Sequence, residues 1–467
     1  MKLTSIAAVS ILTFAGLGAA VTTSTTSAAA AVSAGQSTGQ SAGAARTATA
    51  LGTPGSQLWV SSYKDSAADG THERVAVSPD GSTVYASGGS AETVKAYSAV
   101  TGATLWTATN PASESSFGLI AVSPDGTTVY VTTAQHETDG YETVAYDAAT
   151  GTALWSDDLT NGVYAFPGAI AVSPDSTRVY VTGWMEAADG HSSYATVAYT
   201  STGTRLWVKN FLGPRKRSDF TTLAVSPNGT KVFVTGTTVG PRSRAEYATV
   251  AYFTQTGSEA WVSYYRAAAG SSPTAITTSP DGTKVYVTGT ANQNHQPLYF
   301  DSVTVAYAAS TGAQLWLARI PGQFPHENGT AAVAASPDGS KVYVTGLIRT
   351  RAGGFAYLTQ AYLAKDGSVR WRAVYSAAPG TDEADAIAVS PDGSTVYVTG
   401  ETQVTSSNFA TVAYQAGDGT MLWAASHRGT KGTALVGARS LAVSPDGLTV
   451  FITGFANSHI VTVAYQG

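Results

Sequence analysis

Glu73, Asp385 and Arg439 share one register in this sequence. Each stands six places before a Pro that recurs about every 50 residues, at Pro79, Pro124, Pro174, Pro227, Pro280, Pro337, Pro391 and Pro445. The other five copies carry Gly118, Gly168, Thr221, Thr274 and Ala331 at that place. If the copies close into a ring, the seventh, eighth and first are neighbours. Asp385, Arg439 and Glu73 then lie close, with His72, Arg74, Asp382 and Glu383 beside them. Paired carboxylates flanked by Arg and His are the material for general acid–base work, for a cation, or for holding a polar ligand. The catalytic candidates are Glu73 and Asp385 as acid and base and Arg439 as the anion-holding group, with His72 and Glu383 in support. The plainer alternative is a salt-bridge network tying the copies together.

Two further constellations have binding character. Arg215, Lys216 and Arg217 fall in one variable segment of the fourth copy, and Arg242 and Arg244 in another. Five positive charges that converge would suit an anionic polymer, phosphate or acidic glycan; the alternative is solvated loop charge. Arg349 and Arg351 make a smaller group. Tyr164, Phe166, Trp184, Phe220, Tyr264, Tyr265 and Phe324 read as loop aromatics of the third to sixth copies. Trp184 is the one Trp outside the repeat register. Ring faces there could stack on sugars, or the loops could simply pack on one another.

Much chemistry is excluded. The chain has no Cys, so it has no disulfide, thiolate metal site or Cys nucleophile. Its net charge of −5 argues against general nucleic-acid binding. No Gly-x-Ser-x-Gly elbow, phosphate-binding loop or His-Glu-x-x-His motif occurs. The segments 65–70 and 186–190 lack the alternating oxygen ligands of a calcium loop. No metal site is assigned, and no cofactor is implied strongly.

The elements that must position these residues are strands. In the copy at 169–207, Ala169 to Val172 is a short apolar strand, and Ser173-Pro174-Asp175-Ser176 turns the chain. Arg178 to Thr182 and Thr196 to Tyr199 are strands rich in β-branched and aromatic residues, and Leu206-Trp207 opens a fourth. Four short antiparallel strands in about 50 residues make one propeller blade. Trp recurs in step at 59, 106, 155, 207, 261, 316, 371 and 423. The last copy stops after its third strand, while Gln57-Leu58-Trp59 looks like the missing fourth. The expected fold is all-β: an eight-bladed β-propeller over 55–467, its ring closed by the N-terminal strand pairing into the last blade. One face would be built of tight turns, and the other of long, variable connections where binding loops sit.

The run from Ala145 to Trp155, with Asp147, Thr150 and Gly151, resembles the tryptophan-docking motif of eight-bladed quinoprotein-type (PQQ-binding-like) propellers. The run at 390–399 resembles the bacterial YVTN-type repeat. These resemblances imply the fold over nearly all of 55–467. Function is less tightly implied, because the family includes both envelope scaffolds and quinone-dependent dehydrogenases. The adjacent Cys pair common in that family's alcohol dehydrogenases is absent here.

Met1-Lys2 and the apolar run to about Val21 have the form of a secretory signal over 1–30. Residues 31–54 read as a flexible Ser/Thr/Ala/Gly-rich leader. We therefore expect a secreted, extracellular monomer without membrane insertion or nucleic-acid partner. The first functional expectation is a binding or scaffold protein that meets an extracellular polymer, glycan or protein on the variable face. The alternatives are an extracellular polysaccharide hydrolase or lyase with its site at the channel mouth, and a quinone-dependent dehydrogenase.

Overall fold

Each copy of the repeat folds into four antiparallel strands because its apolar and β-branched runs are separated by turns that are chemically complete. In the turn at 336–341, the Ser336 hydroxyl donates to Asp338 Oδ1 at 2.5 Å. That same oxygen accepts the Ser340 N–H at 2.9 Å, and the Ser336 hydroxyl accepts the Lys341 N–H at 2.9 Å. The bonds hold the Asp338 carboxyl at about 2 against the cost of its partial burial. Asn228 makes the equivalent bonds in the fourth copy. Where most copies have Gly, the third has Ser176 at φ 60°. Its hydroxyl accepts the Asp125 N–H of the preceding copy at 3.0 Å, which offsets a left-handed backbone that favours Gly.

The computed structural model describes residues 52–467 apart from 65–72, 90–92, 111–117, 136–139, 161–163, 293–299, 323–327, 352, 378–379, 404–406, 429–435 and 457–458. The expected signal and most of the leader lie outside the described residues, as do His72 and Phe324. Thirty-two strands and no helix are present among the described residues. The strands form six separate four-stranded sheets and one larger sheet. The larger one is two further four-stranded groups touching at a single parallel pair, Phe355 and Thr381. No sheet closes on itself; the four-stranded groups, the blades of a β-propeller, meet face to face through side chains. The strand Gln57–Lys64 pairs antiparallel with His459–Gln466, Trp59 opposite Ala464, and so supplies the fourth strand of the last group.

Tryptophan docking joins the blades. The indole N–H of Trp59 donates to the Ala99 carbonyl of the next blade at 2.9 Å, and Trp106, Trp155, Trp207, Trp261, Trp316 and Trp371 repeat the bond. Under the indole sits the glycine of the following blade's last turn. Gly102, at φ +69°, would place a Cβ 2.6 Å from Trp59 Cδ2, so no side chain fits there. The eighth indole, Trp423, lies over Gly55, in the turn that precedes the N-terminal strand. The docked Trp also pack on rings, as Trp155 does between Tyr130 and Tyr199 at 5.9 and 5.6 Å and Trp106 on Tyr85 at 5.8 Å. Apolar clusters occupy the junction of every consecutive pair of blades. One of them unites Trp59, Phe451 and Ala464 of the last blade with Val75, Val84 and Tyr97 of the first.

Strands run further toward the variable side than the apolar pattern indicates. The copy expected as 169–172, 178–182 and 196–199 forms Tyr164–Val172, Arg178–Glu186 and Ser192–Thr200. Tyr164, Phe166 and Trp184, expected in loops, are therefore strand residues, as are Tyr264 and Tyr265 in Glu259–Tyr265. Burial still alternates at these ends, with Ala165 and Met185 in the core, but the outward positions hold Tyr164, Phe166 and Trp184, so the sequence shows no apolar–polar alternation there.

Candidate functional site

The first strand of blade 3 and of blades 5 to 8 carries a β-bulge at one level, and that of blade 4 shifts one place earlier, between Asp219 and Thr221. The pairing register shifts between Pro167 and Ala169, Pro273 and Ala275, Thr330 and Ala332, Ala384 and Ala386, and Ala438 and Ser440. The residue left out of register has its side chain re-aimed. In blades 7 and 8 those residues are Asp385 and Arg439. At this level Gly168 faces the Thr221 backbone of the next blade, and the Thr274 hydroxyl donates to the Thr330 carbonyl at 2.6 Å. The bulge thus points across the junction between blades.

Asp385 and Arg439 meet there as an ion pair, Nη1 to Oδ2 at 2.9 Å. Arg439 Nη2 lies 3.9 Å from Glu401 Oε2. Glu401 is directly opposite Glu383 across the strands Thr381–Val389 and Thr395–Gln403. Glu73 is 2% exposed and Asp385 5%, and Arg74 is also buried. The Arg74 guanidinium donates to the Glu73 carbonyl at 2.9 Å. Sequence spacing therefore brings Asp385, Arg439, Glu73, Arg74 and Glu383 into one electrostatic cluster. Asp382 is buried as well, but its Oδ2 accepts from the Ser376 hydroxyl and the Ala377 N–H.

Like charges across a strand pair repel, and burial adds to the penalty. Burial, then the carboxylates of Asp385 and Glu401, pushes Glu383 up to about 7. Burial also raises Asp385 to about 6, with Arg439 opposing. Arg74 is lowered to about 10 by burial. For Arg439, burial works against the charge, but Asp385, Glu401 and Glu73 more than offset it. Chemically, the cluster can fasten three blades to one another and can hold protons at neutral pH. Glu401 escaped the sequence reading. The signal was available, because Glu401 follows the second-strand Gly400 just as Trp184 follows Gly183.

The same cross-strand position in blade 3 holds the aromatic pair. Phe166 is opposite Trp184, with rings stacked at 5.9 Å and 20°. Tyr164 is 57% and Phe166 41% exposed. Tyr265 is buried against Tyr247, and the Arg266 guanidinium covers Tyr264 at 4.6 Å. Beside the stack, Tyr194 packs on Phe211 at 5.3 Å.

The five cations of blade 4 do converge. Arg215 Nη2 donates to the Pro241 carbonyl at 2.5 Å and so bridges the two segments. Arg215, Lys216, Arg217 and Arg242 are exposed, and Arg244 is half-buried. Arg351 is exposed and Arg349 half-buried in blade 6. Among the described residues no group of three His, Asp or Glu has the arrangement to hold a metal ion. None of their segments is a helix long and apolar enough to cross a membrane.

Blades of four antiparallel strands locked by docked tryptophans define a PQQ-like β-propeller. The chain belongs to the family described as outer membrane protein assembly factor BamB, whose profile matches residues 44–239, 90–296 and 300–466. No curated protein sequence matches it. Among solved structures it is similar to the C-terminal WD40 domain of Sif2, with 11% identity and a TM-score of 0.56 over 89% of this chain and 99% of that one. It is similar to the Dos1 propeller at 10% and 0.56, covering 87% and 94%. A quinohemoprotein alcohol dehydrogenase of Pseudomonas putida matches at 13% and 0.54, covering 88% and 76%. At such identities these likenesses show the fold alone. The YVTN-type likeness of 390–399 rests on sequence only.

Proposed function

We propose that this chain is a secreted, monomeric, eight-bladed propeller, its ring closed by the strand Gln57–Lys64, that binds a partner protein on its variable side. One observation carries the reading. A stacked, solvent-facing Phe166–Trp184 pair with Tyr164 and a bridged set of five cations occupy adjacent blades on a scaffold fastened by docked tryptophans. Aromatic and Arg side chains on a rigid support are what protein interfaces use as anchors. The family's description as an assembly factor supports a scaffold role, and the apolar run after Met1-Lys2 supports export. The test compares partner capture by the wild-type protein with capture by Phe166→Ala/Trp184→Ala. Loss of the captured protein is expected; an unchanged captured set would refute the reading.

A hydrolase or lyase remains the second reading on one specific observation, the Glu383 carboxyl at about 7, in the range where proton transfer is efficient. Its decisive variants are Glu73→Gln, Asp385→Asn and Glu383→Gln. We expect them to leave any polysaccharide turnover intact, because Glu73 and Asp385 are buried at a blade junction.

A further inference from the structure

We infer that the two basic segments of blade 4 read an acidic stretch of the partner, a run of Asp and Glu side chains. This rests on the binding role proposed above and names the partner's chemistry. The segments are 212–217, between the strands Arg205–Phe211 and Ser218–Val225, and 240–244, between Lys231–Val239 and Ala245–Phe253.

Their backbones are held at every turn. The Lys216 carbonyl accepts the Ser192 N–H of blade 3, and the Arg217 carbonyl accepts the Val239 N–H and the Thr238 hydroxyl. Gly240 N–H donates to the Arg244 carbonyl, and Ser243 N–H to Gly240. Three non-glycine residues among those described have a left-handed backbone, and two are here: Lys216 at φ 52° and Ser243 at φ 57°. Such residues are held against their own preference by the surrounding structure, a state that clusters where loops have a binding task. The cationic heads, by contrast, are presented outward. Three carboxylates are near, and one of them, Glu246, reaches Gly240 but is paired with Arg266. Asp189 feels the Lys216 charge but is bonded to His191 at 2.7 Å, and Asp219 follows the first segment. They face five cations, on a chain whose net charge is −5.

The chemistry of the partner follows from the side chains. Four of the five cations are Arg, whose planar fork matches carboxylates in pairs, where Lys offers a point charge. The first segment follows Phe211, which is half-buried and stands in one cross-strand row with the buried Tyr194 and the Phe166–Trp184 stack. Arg beside exposed aromatic rings favours a protein segment over a glycan that would be held by charge alone.

The test is fluorescence anisotropy of a labelled poly-glutamate peptide containing interspersed tyrosines, with a heparin-derived oligosaccharide as competitor. The variants are R215E/K216E/R217E and R242E/R244E. The control is K284E/K341E, at second-strand starts beside the tight turns. Wild type should bind the peptide with an affinity that falls as salt rises. Each loop reversal should weaken binding about tenfold or more, with the control unchanged. Undiminished binding after both reversals would overturn the inference, as would tighter binding of the oligosaccharide than of the peptide. Loss of partner capture in Phe166→Ala/Trp184→Ala with full capture in both reversals would overturn this inference while leaving the binding role standing. Full capture in all of them would overturn both.

Discussion

Replacing Arg439 by Met removes the cation that Asp385 meets at 2.9 Å inside the junction of blades 7 and 8. The cost can be worked from the proton the carboxyl can take instead. With Arg439 in place, Asp385 titrates at about 6. At pH 8 it is ionised, and neutralising it against two pH units costs about 3 kcal/mol. At pH 5 it is already largely protonated, so the same replacement removes little electrostatic stabilisation. Arg439→Met should therefore lose about 3 kcal/mol more at pH 8 than at pH 5, and Arg439→Met/Asp385→Leu should recover most of the difference. The assay is urea unfolding followed by tryptophan fluorescence at both pH values. An exposed pair would be worth about 1 kcal/mol or less at either pH. Equal losses at pH 5 and pH 8 would refute a buried junction pair.

The wild-type protein should itself be most stable near pH 5. Glu383 and Asp385 are raised from 4.5 and 3.8 to about 7 and 6, so the folded chain holds more protons than the unfolded one across that window, and stability falls as pH rises through it. Turn carboxylates such as Asp338, lowered to about 2, act oppositely, and their contribution is lost as pH falls. Thermal melts across pH test this, and a monotonic rise to pH 8 would contradict it. Gly102→Ala should cost about 2–5 kcal/mol, since its Cβ meets Trp59 on a left-handed backbone. Gly353→Ala, with φ +93° but nothing within 4 Å, should cost only about 1–2 kcal/mol in the same urea titration. A chain beginning after Lys64 lacks both the partner strand of His459–Gln466 and the Gly55 seat of Trp423. It should unfold without a sharp transition, and a synthetic 52–64 peptide should restore one.

The repeat made the scaffold readable because its determinants are local. Ser336, Asp338 and Ser340 complete a turn within five residues, and that pattern recurs at every turn Pro. Trp59 is also set by repeat spacing, so the pairing of the N-terminal strand with the last copy followed from counting, while docking was implied by the resemblance of 145–155. Strand length did not, because the outward positions at the ends that hold Phe166 and Trp184 are themselves aromatic, which hides the alternation of exposed and buried residues there. The charged cluster was half legible. Register alone brought Asp385 to Arg439, but the bulge that turns both into the blade junction leaves no trace in residue type. Glu401 was missed because only pairing across strands, not nearness in sequence, sets it against Glu383. The basic segments converged as their place in the repeat implies, while the Arg215–Pro241 bridge needed three dimensions.

Partners are expected to meet the side carrying Phe166 and Arg242 and to leave the tight-turn side free. Site-specific photo-crosslinking in the producing cell tests this most directly. A photoreactive residue is placed in turn at Phe166 and Arg242, and at Phe253, which is exposed beside the turns of Pro174 and Pro227. A discrete protein adduct is expected from positions 166 and 242 and none from 253. An adduct from 253 alone, or the same adduct from all three, would contradict this.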